Sequence, residues 1–218
     1  AYNAYKTKNF TILGVSLAIA HAGAVSAKMP LYKYLRKIYG ISFPDYRLPL
    51  PMMNIENGGA HAGWILDFQE FMIVPRQKTF SERIRCGSEV FHALGKLLRR
   101  KGYSTLVGDE GGYAIPFKKN EEALSTIMKA IAVAGYESGK HVSLAMDPAT
   151  SEFYDAASQR YILKKDGKKL TTGQMIAMWE KLADKYPVIS IEDGLSEDDW
   201  EGWQIMTKKL GKKILLVG

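Results

Sequence analysis

The sequence predicts an α/β fold in which short buried strands alternate with amphipathic helices. Three observations predict it. Apolar runs of strand length recur at 52–55, 71–74, 142–146, 188–191 and 214–217; segments of helical period lie between them; and acidic residues follow directly on two of the runs, where a parallel sheet gathers its functional groups. The bulk numbers agree. With 218 residues, 46% apolar and 24% charged, the chain is long enough for a core and too ordinary in composition for a disordered or low-complexity protein. Its one cysteine, Cys86, permits no internal disulfide, which excludes a stapled secreted scaffold.

Residues 10–39 open the chain with a helical pattern. Leu13, Ser16, Leu17 and Ala20 share one face, a second apolar set follows at Leu31, Tyr34 and Leu35, and Pro30 separates the two helices. Lys6 and Lys8, the apolar stretch 12–25 and the small residues Ala24-Val25-Ser26-Ala27 imitate a signal peptide. Ser16, His21 and Gly23 break that stretch, and it is shorter than the roughly 20 residues that span a bilayer, so it reads as a buried helix with no membrane partner. Pro44, Pro49 and Pro51 then mark a linker and a domain boundary.

The first two strand runs, 52–55 and 71–74, come next. A helix over 81–100 carries Ile84, Phe91, Leu94 and Leu98, and one over 121–134 carries Leu124, Ile127, Met128 and Ile131. After the strand 142–146, Thr171 and Gln174 form a capping box, with Leu170 and Met175 as its hydrophobic staple, and the helix continues through Ile176, Trp179, Leu182 and Tyr186. Beyond the strand 188–191, a last helix starts at Ser196 with Asp199 three residues on, then Trp200, Trp203, Met206 and Leu210. The final run, 214–217, has no helix after it to cover a buried parallel strand, so the chain is expected to be a piece of a longer one.

Charge narrows the partners. Thirty basic against 23 acidic residues leave a net +7, spread in short groups such as Lys96, Arg99, Arg100 and Lys101 that fall at helix ends or in loops, where cations are favourable and solvated. Nucleic acid is not expected as a partner. The acids are more pointed. Asp147 ends the run 142–146, and Glu192 with Asp193 ends 188–191, so two carboxylates at matching strand ends could share a hard cation such as Mg²⁺. Capping of the following helices is the plainer alternative, and Asp193 fits it better than Glu192.

Gly108-Asp109-Glu110-Gly111-Gly112 frames an acidic pair with glycines, which suits either a tight turn or a close approach to a ligand. Residues 57–63 form a glycine-rich loop around His61. It lacks the Lys-Ser/Thr of a phosphate loop, and its His is either carried over a substrate or satisfied structurally. Gln69-Glu70 abuts the apolar run 71–74, where burial would raise the Glu70 pKa toward values useful to an acid. Cys86, His21, His92 and His141 read as structural.

Taken in order, Ile12-Leu13-Gly14-Val15-Ser16-Leu17-Ala18, Met52-Met53-Asn54-Ile55 with Gly58-Gly59-Ala60-His61, Gln69-Glu70-Phe71-Met72, Val107 to Gly112, Ser151-Glu152-Phe153-Tyr154 after Asp147, and Ser190-Ile191-Glu192-Asp193 resemble the enolase family over nearly the whole chain. Glu192-Asp193-Gly194-Leu195 and Asp198-Asp199-Trp200-Glu201 look bacterial in style. The resemblance implies an incomplete enolase-type βα barrel, irregular in its early connections, preceded by the last helices of a small α+β N-terminal domain, so that residues 1–43 belong to the small domain and 44–218 to the barrel. It implies Mg²⁺-dependent dehydration of 2-phosphoglycerate to phosphoenolpyruvate, a homodimer or higher homo-oligomer, and a cytoplasmic place with a further cell-surface or secreted pool open. Asp147 and Glu192 look like two of three metal carboxylates. Glu110 looks like the acid that helps the hydroxyl leave, with Glu70 as partner; Gln69 would bind near metal and substrate, and His61 would close over it. The stretch 151–169 matches a mobile polar lid. The third carboxylate, the base Lys and further substrate-binding residues are implied beyond Gly218. A non-catalytic surface or RNA-decay scaffold is the competing role. Gly63-Trp64-Ile65 and Tyr113-Ala114-Ile115-Pro116 depart from the family's usual residues.

Overall fold

Helix formation at the N-terminus follows the sequence: in the computed structural model α1 spans Tyr2–Ser26 and α2 spans Leu31–Ile38, with Pro30 as the residue that starts the second. Proline cannot continue α1, and its fixed φ suits a helix start. Residues 2–43 and 45–218 are described, with side chains from Thr11 onward; Pro44 and the Lys6 and Lys8 side chains lie outside the described residues. The chain divides into residues 1–48 and 49–218. In the first unit the expected buried helix is not found: Ala24 is buried, but Ile12, Val15 and Ile19 are 68%, 55% and 67% exposed. Within this unit the 8 residues of α2 leave these positions of the 25-residue α1 uncovered. They meet closely at Gly23, where a Cβ would fall 2.5 Å from the Tyr34 ring. No single described helix is long and apolar enough to cross a membrane.

The second unit is built on β1 (Met53–Asn57), β2 (Glu70–Pro75), α3 (Phe80–Arg100), β3 (Tyr113–Ala114), α4 (Asn120–Val133), β4 (Val142–Asp147), β5 (Tyr154–Asp155), β6 (Arg160–Leu163), β7 (Lys168–Leu170), α5 (Thr172–Lys185), β8 (Val188–Glu192), α6 (Trp200–Leu210) and β9 (Leu215–Val217). Six strands form one sheet in the order β3-β1-β2-β4-β8-β9. The α/β fold is as expected, but a uniformly parallel sheet is not what forms. β2 runs antiparallel to both β1 and β4, while β1–β3, β4–β8 and β8–β9 are parallel. A parallel crossover needs a connection that usually holds a helix, and residues 58–69 hold a single 3-10 turn, Ala60–Ala62. Reversal has a functional consequence. It places the start of β2 on the rim formed by the ends of β1, β4 and β8, so Asn57, Glu70 and Asp147 stand in register there.

Alternation along the strands splits the core. Phe71, Ile73, Leu144, Met146 and Ile191 face the helices with Leu94, Leu124 and Trp179, whereas Met72, Val74 and Ala145 form a small cluster on the other face. The starts of α3, α5 and α6 are capped by side chains. The Thr171–Gln174 box forms as read, a second box joins Thr79 and Glu82, and α6 begins at Trp200 rather than Ser196. There Asp199 is the cap, its Oδ1 accepting the Gly202 N–H at 3.0 Å, while the Ser196 N–H goes to the Tyr161 hydroxyl.

The stretch 151–169 is not a polar lid throughout. It folds as a three-stranded antiparallel meander, β5-β6-β7, in which Tyr161 and Leu163 are wholly buried and Phe153 nearly so. Buried Asp67 fastens it. The Asp67 carboxylate accepts the N–H groups of Lys164 and Lys165 at 3.0 Å each and the Asn120 side-chain amide at 2.8 Å.

Candidate active site

The rim gathers two groups of acids. At the β1–β2 corner, Glu110 is the centre. Its Oε2 accepts from Asn57 Nδ2 at 2.8 Å and Asn54 Nδ2 at 3.2 Å, and its Oε1 meets Gln69 Nε2 at 3.3 Å and His61 Nδ1. A β-bulge between Asn54 and Glu56 makes this possible. Residues three apart on a regular strand face opposite ways, and the extra residue turns both asparagines to one carboxylate. Asn57 also fixes the loop that carries Glu110, since its Oδ1 accepts the Gly112 N–H at 2.8 Å. Glycine is required there, because a Cβ on Gly112 would sit 2.8 Å from that oxygen and from the Glu56 nitrogen.

His61 is held by its own turn. Trp64 N–H donates to the Gly59 carbonyl at 2.7 Å, and Gly63 and Trp64 both take left-handed φ values of 63° and 59°. The departure Gly63-Trp64-Ile65 thus closes a tight turn, at the cost of a conformation that non-glycine residues seldom adopt. The Asp109 N–H in turn donates to the His61 carbonyl. The hydrogen bond with Glu110, aided by the charges of Asp109 and Glu70, holds the His61 pKa above its ordinary value.

Glu70 joins both groups. It is half-buried and pushed up to about 7, first by burial and then by the nearby Glu110 and Asp147 carboxylates. Next to it, Asp147 is also pushed up to about 7, by burial and by the nearby Glu192, against a 2.9 Å hydrogen bond from the Ala149 N–H. Burial and Asp193 raise Glu192. The pairing of Met146 with Ile191 brings Asp147 level with Glu192. Two half-buried carboxylates that disfavour their own charge fit a divalent hard cation, which would relieve both. They supply two ligands. Among the described residues, no three of His, Cys, Asp and Glu group closely enough to hold a metal. Asp193 uses its backbone instead: in a left-handed turn, φ 44°, its carbonyl accepts the Thr150 N–H and hydroxyl.

The structure therefore brings together His61, Gln69, Glu70 and Glu110, and sets Asp147 beside Glu192 one strand away. Asn54 and Asn57 escaped notice. Their signal was the polar interruption Asn54-Ile55-Glu56-Asn57 in an otherwise apolar strand. Cys86 is buried, as a packing residue is, and the exposed His141 accepts the Glu137 N–H.

Acids from several strands converging on one rim of an α/β sheet define a catalytic domain of the βα-barrel class. The family model of the enolase C-terminal TIM barrel domain matches residues 45–218. The chain belongs to the enolase family, and its second unit is part of that family's barrel.

Proposed function

We propose that this chain supplies part of the active site of an enolase in the strict sense, which converts 2-phosphoglycerate reversibly to phosphoenolpyruvate, and that these 218 residues alone are inactive. The observation that supports this reading over other superfamily chemistry is Glu110 held by His61 and Gln69 with the half-buried Glu70 carboxyl close enough to feel its charge, one strand from Asp147 and Glu192. Expelling a hydroxyl group needs a proton at the leaving oxygen. Two adjoining carboxyls that resist double ionisation hold one proton between them near neutral pH, which burial favours on Glu70, and Glu110, on the more open loop, is placed to relay it to the leaving oxygen. His61 then serves as the closing side of the pocket and Gln69 as an orienting donor. Asp147 and Glu192 would hold Mg²⁺, which supplies positive charge for a substrate carboxylate as the neighbouring C–H loses its proton. On this reading the third metal carboxylate and the base Lys are residues outside these 218. The test is phosphoenolpyruvate formation from 2-phosphoglycerate and Mg²⁺ by the full-length protein, with Glu110→Gln as the comparison. No product from the full-length protein, or equal rates from the two, would reject the reading.

A further inference from the structure

Glu56 is an acid where the sheet calls for an apolar side chain. It pairs across the ladder with Phe71 on β2 and Tyr113 on β3, which puts its side chain on the face covered by α3, where Tyr113 stacks on Phe91 at 4.3 Å. It is 1% exposed, and neither carboxyl oxygen has a hydrogen-bond partner. An ionised carboxylate there would lack both water and a counter-charge, so the group keeps its proton. Burial accordingly raises its pKa well above the carboxylate range, opposed by Lys101 at the end of α3. The charged and titratable groups around it are few. α3 contributes Lys101, with Arg99 acting on Tyr113; β3 contributes Tyr113, itself kept protonated by burial; β2 offers the uncharged Phe71.

The backbone of Glu56 carries the active corner. Asn57, the next residue, holds both Glu110 and the Gly112 N–H, and β3 is two residues long, fastened to β1 at Glu56–Tyr113 and Asn57–Ala114 alone. Gly112 lies directly against the Glu56 backbone. A charge at Glu56 can reach water only by moving that strand end, and the loop of Glu110 moves with it.

We propose that Glu56 is a positioning residue for Glu110, holding the 108–112 loop in its working place only while the Glu56 carboxyl is protonated. The catalytic half rests on the enolase reading; the structural half does not.

The sign follows from linkage. A carboxyl with a raised pKa in the folded state stabilises the fold fully below its unfolded value, about 4.3, and that contribution is lost as pH rises toward the folded value. Urea unfolding of the full chain across about pH 5 to 9 should show the wild-type midpoint falling relative to E56L and E56Q, neither of which can ionise. E56Q keeps the shape and carries the test if E56L does not fold. Hydrogen exchange of the Gly112 amide in the same buffers reads the loop: beyond the intrinsic pH trend, its protection should drop in wild type and hold in E56Q. In the active full-length enzyme, E56Q should match wild type on the acid side and keep kcat on an alkaline limb that wild type loses. Parallel stability profiles for wild type and E56Q overturn the proposal. So does a stability difference without any change in Gly112 protection, which would leave Glu56 a buried acid that positions nothing. A protein without enolase activity would reject the functional reading and leave both structural readouts standing.

Discussion

At the β1–β2 corner, Glu110 is reached by Asn54, Asn57, Gln69 and His61, whereas one strand away Asp147 and Glu192 stand level with each other and repel. At the corner four side-chain nitrogens already converge on one carboxylate, and the buried Asn54 Oδ1 is left without a partner. The pair is a concentration of negative charge held out of water. On the enolase reading, the difference separates two kinds of preorganisation: the groups that would pass a proton are tied to one another, and the groups that would grip a cation are left short of one.

Breaking the corner should cost most. Glu110→Gln preserves shape and the hydrogen bond to His61 but removes the acid, and in the full-length enzyme kcat should fall by about 10²–10⁴-fold with the fold intact by circular dichroism. A loss under about tenfold would make Glu110 a turn residue. Asp147→Asn tests the pair: losing one ligand charge should weaken Mg²⁺ binding by at least about tenfold in isothermal titration, roughly 1.4 kcal/mol, with thermal stability little changed or raised, since a strained charge disappears. Unchanged affinity would move the cation elsewhere. Asn57→Ala sharpens the contrast from the support side. It leaves the Gly112 N–H and one Glu110 oxygen without their partner, so urea unfolding should report a loss of about 1–3 kcal/mol, and kcat should fall more than KM rises.

Most of the scaffold was legible before any coordinates. Strand runs, helix periods and the Thr171–Gln174 box depend on neighbours in sequence, and the structure has each within a few residues of its expected place. The glycines around Glu110 and the strand-end position of Asp147 and Glu192 pointed at the rim. What escaped depended on partners distant in sequence. The reversal of β2 is decided by the length and turn of residues 58–69, which an apolar count does not register. The bulge at Asn54 changes which face Asn57 occupies, so pattern reading assigned neither asparagine to Glu110. In 151–169 the many polar residues hid Phe153, Tyr161 and Leu163, which bury the inner side of the meander.

Asp67 ties the meander to a distant part of the chain. Its carboxylate takes backbone N–H groups from Lys164 and Lys165, 97 and 98 residues further along the chain. Contacts of such separation close a large loop, and the chain entropy lost in closing it disfavours their forming early. An interaction absent from the folding transition state leaves the speed of assembly alone and slows escape from the finished structure. If these contacts form after the folding transition state, Asp67 sets how long the meander stays attached and not how quickly the sheet is built, and an Asp67→Asn variant would then unfold faster while folding at the wild-type rate.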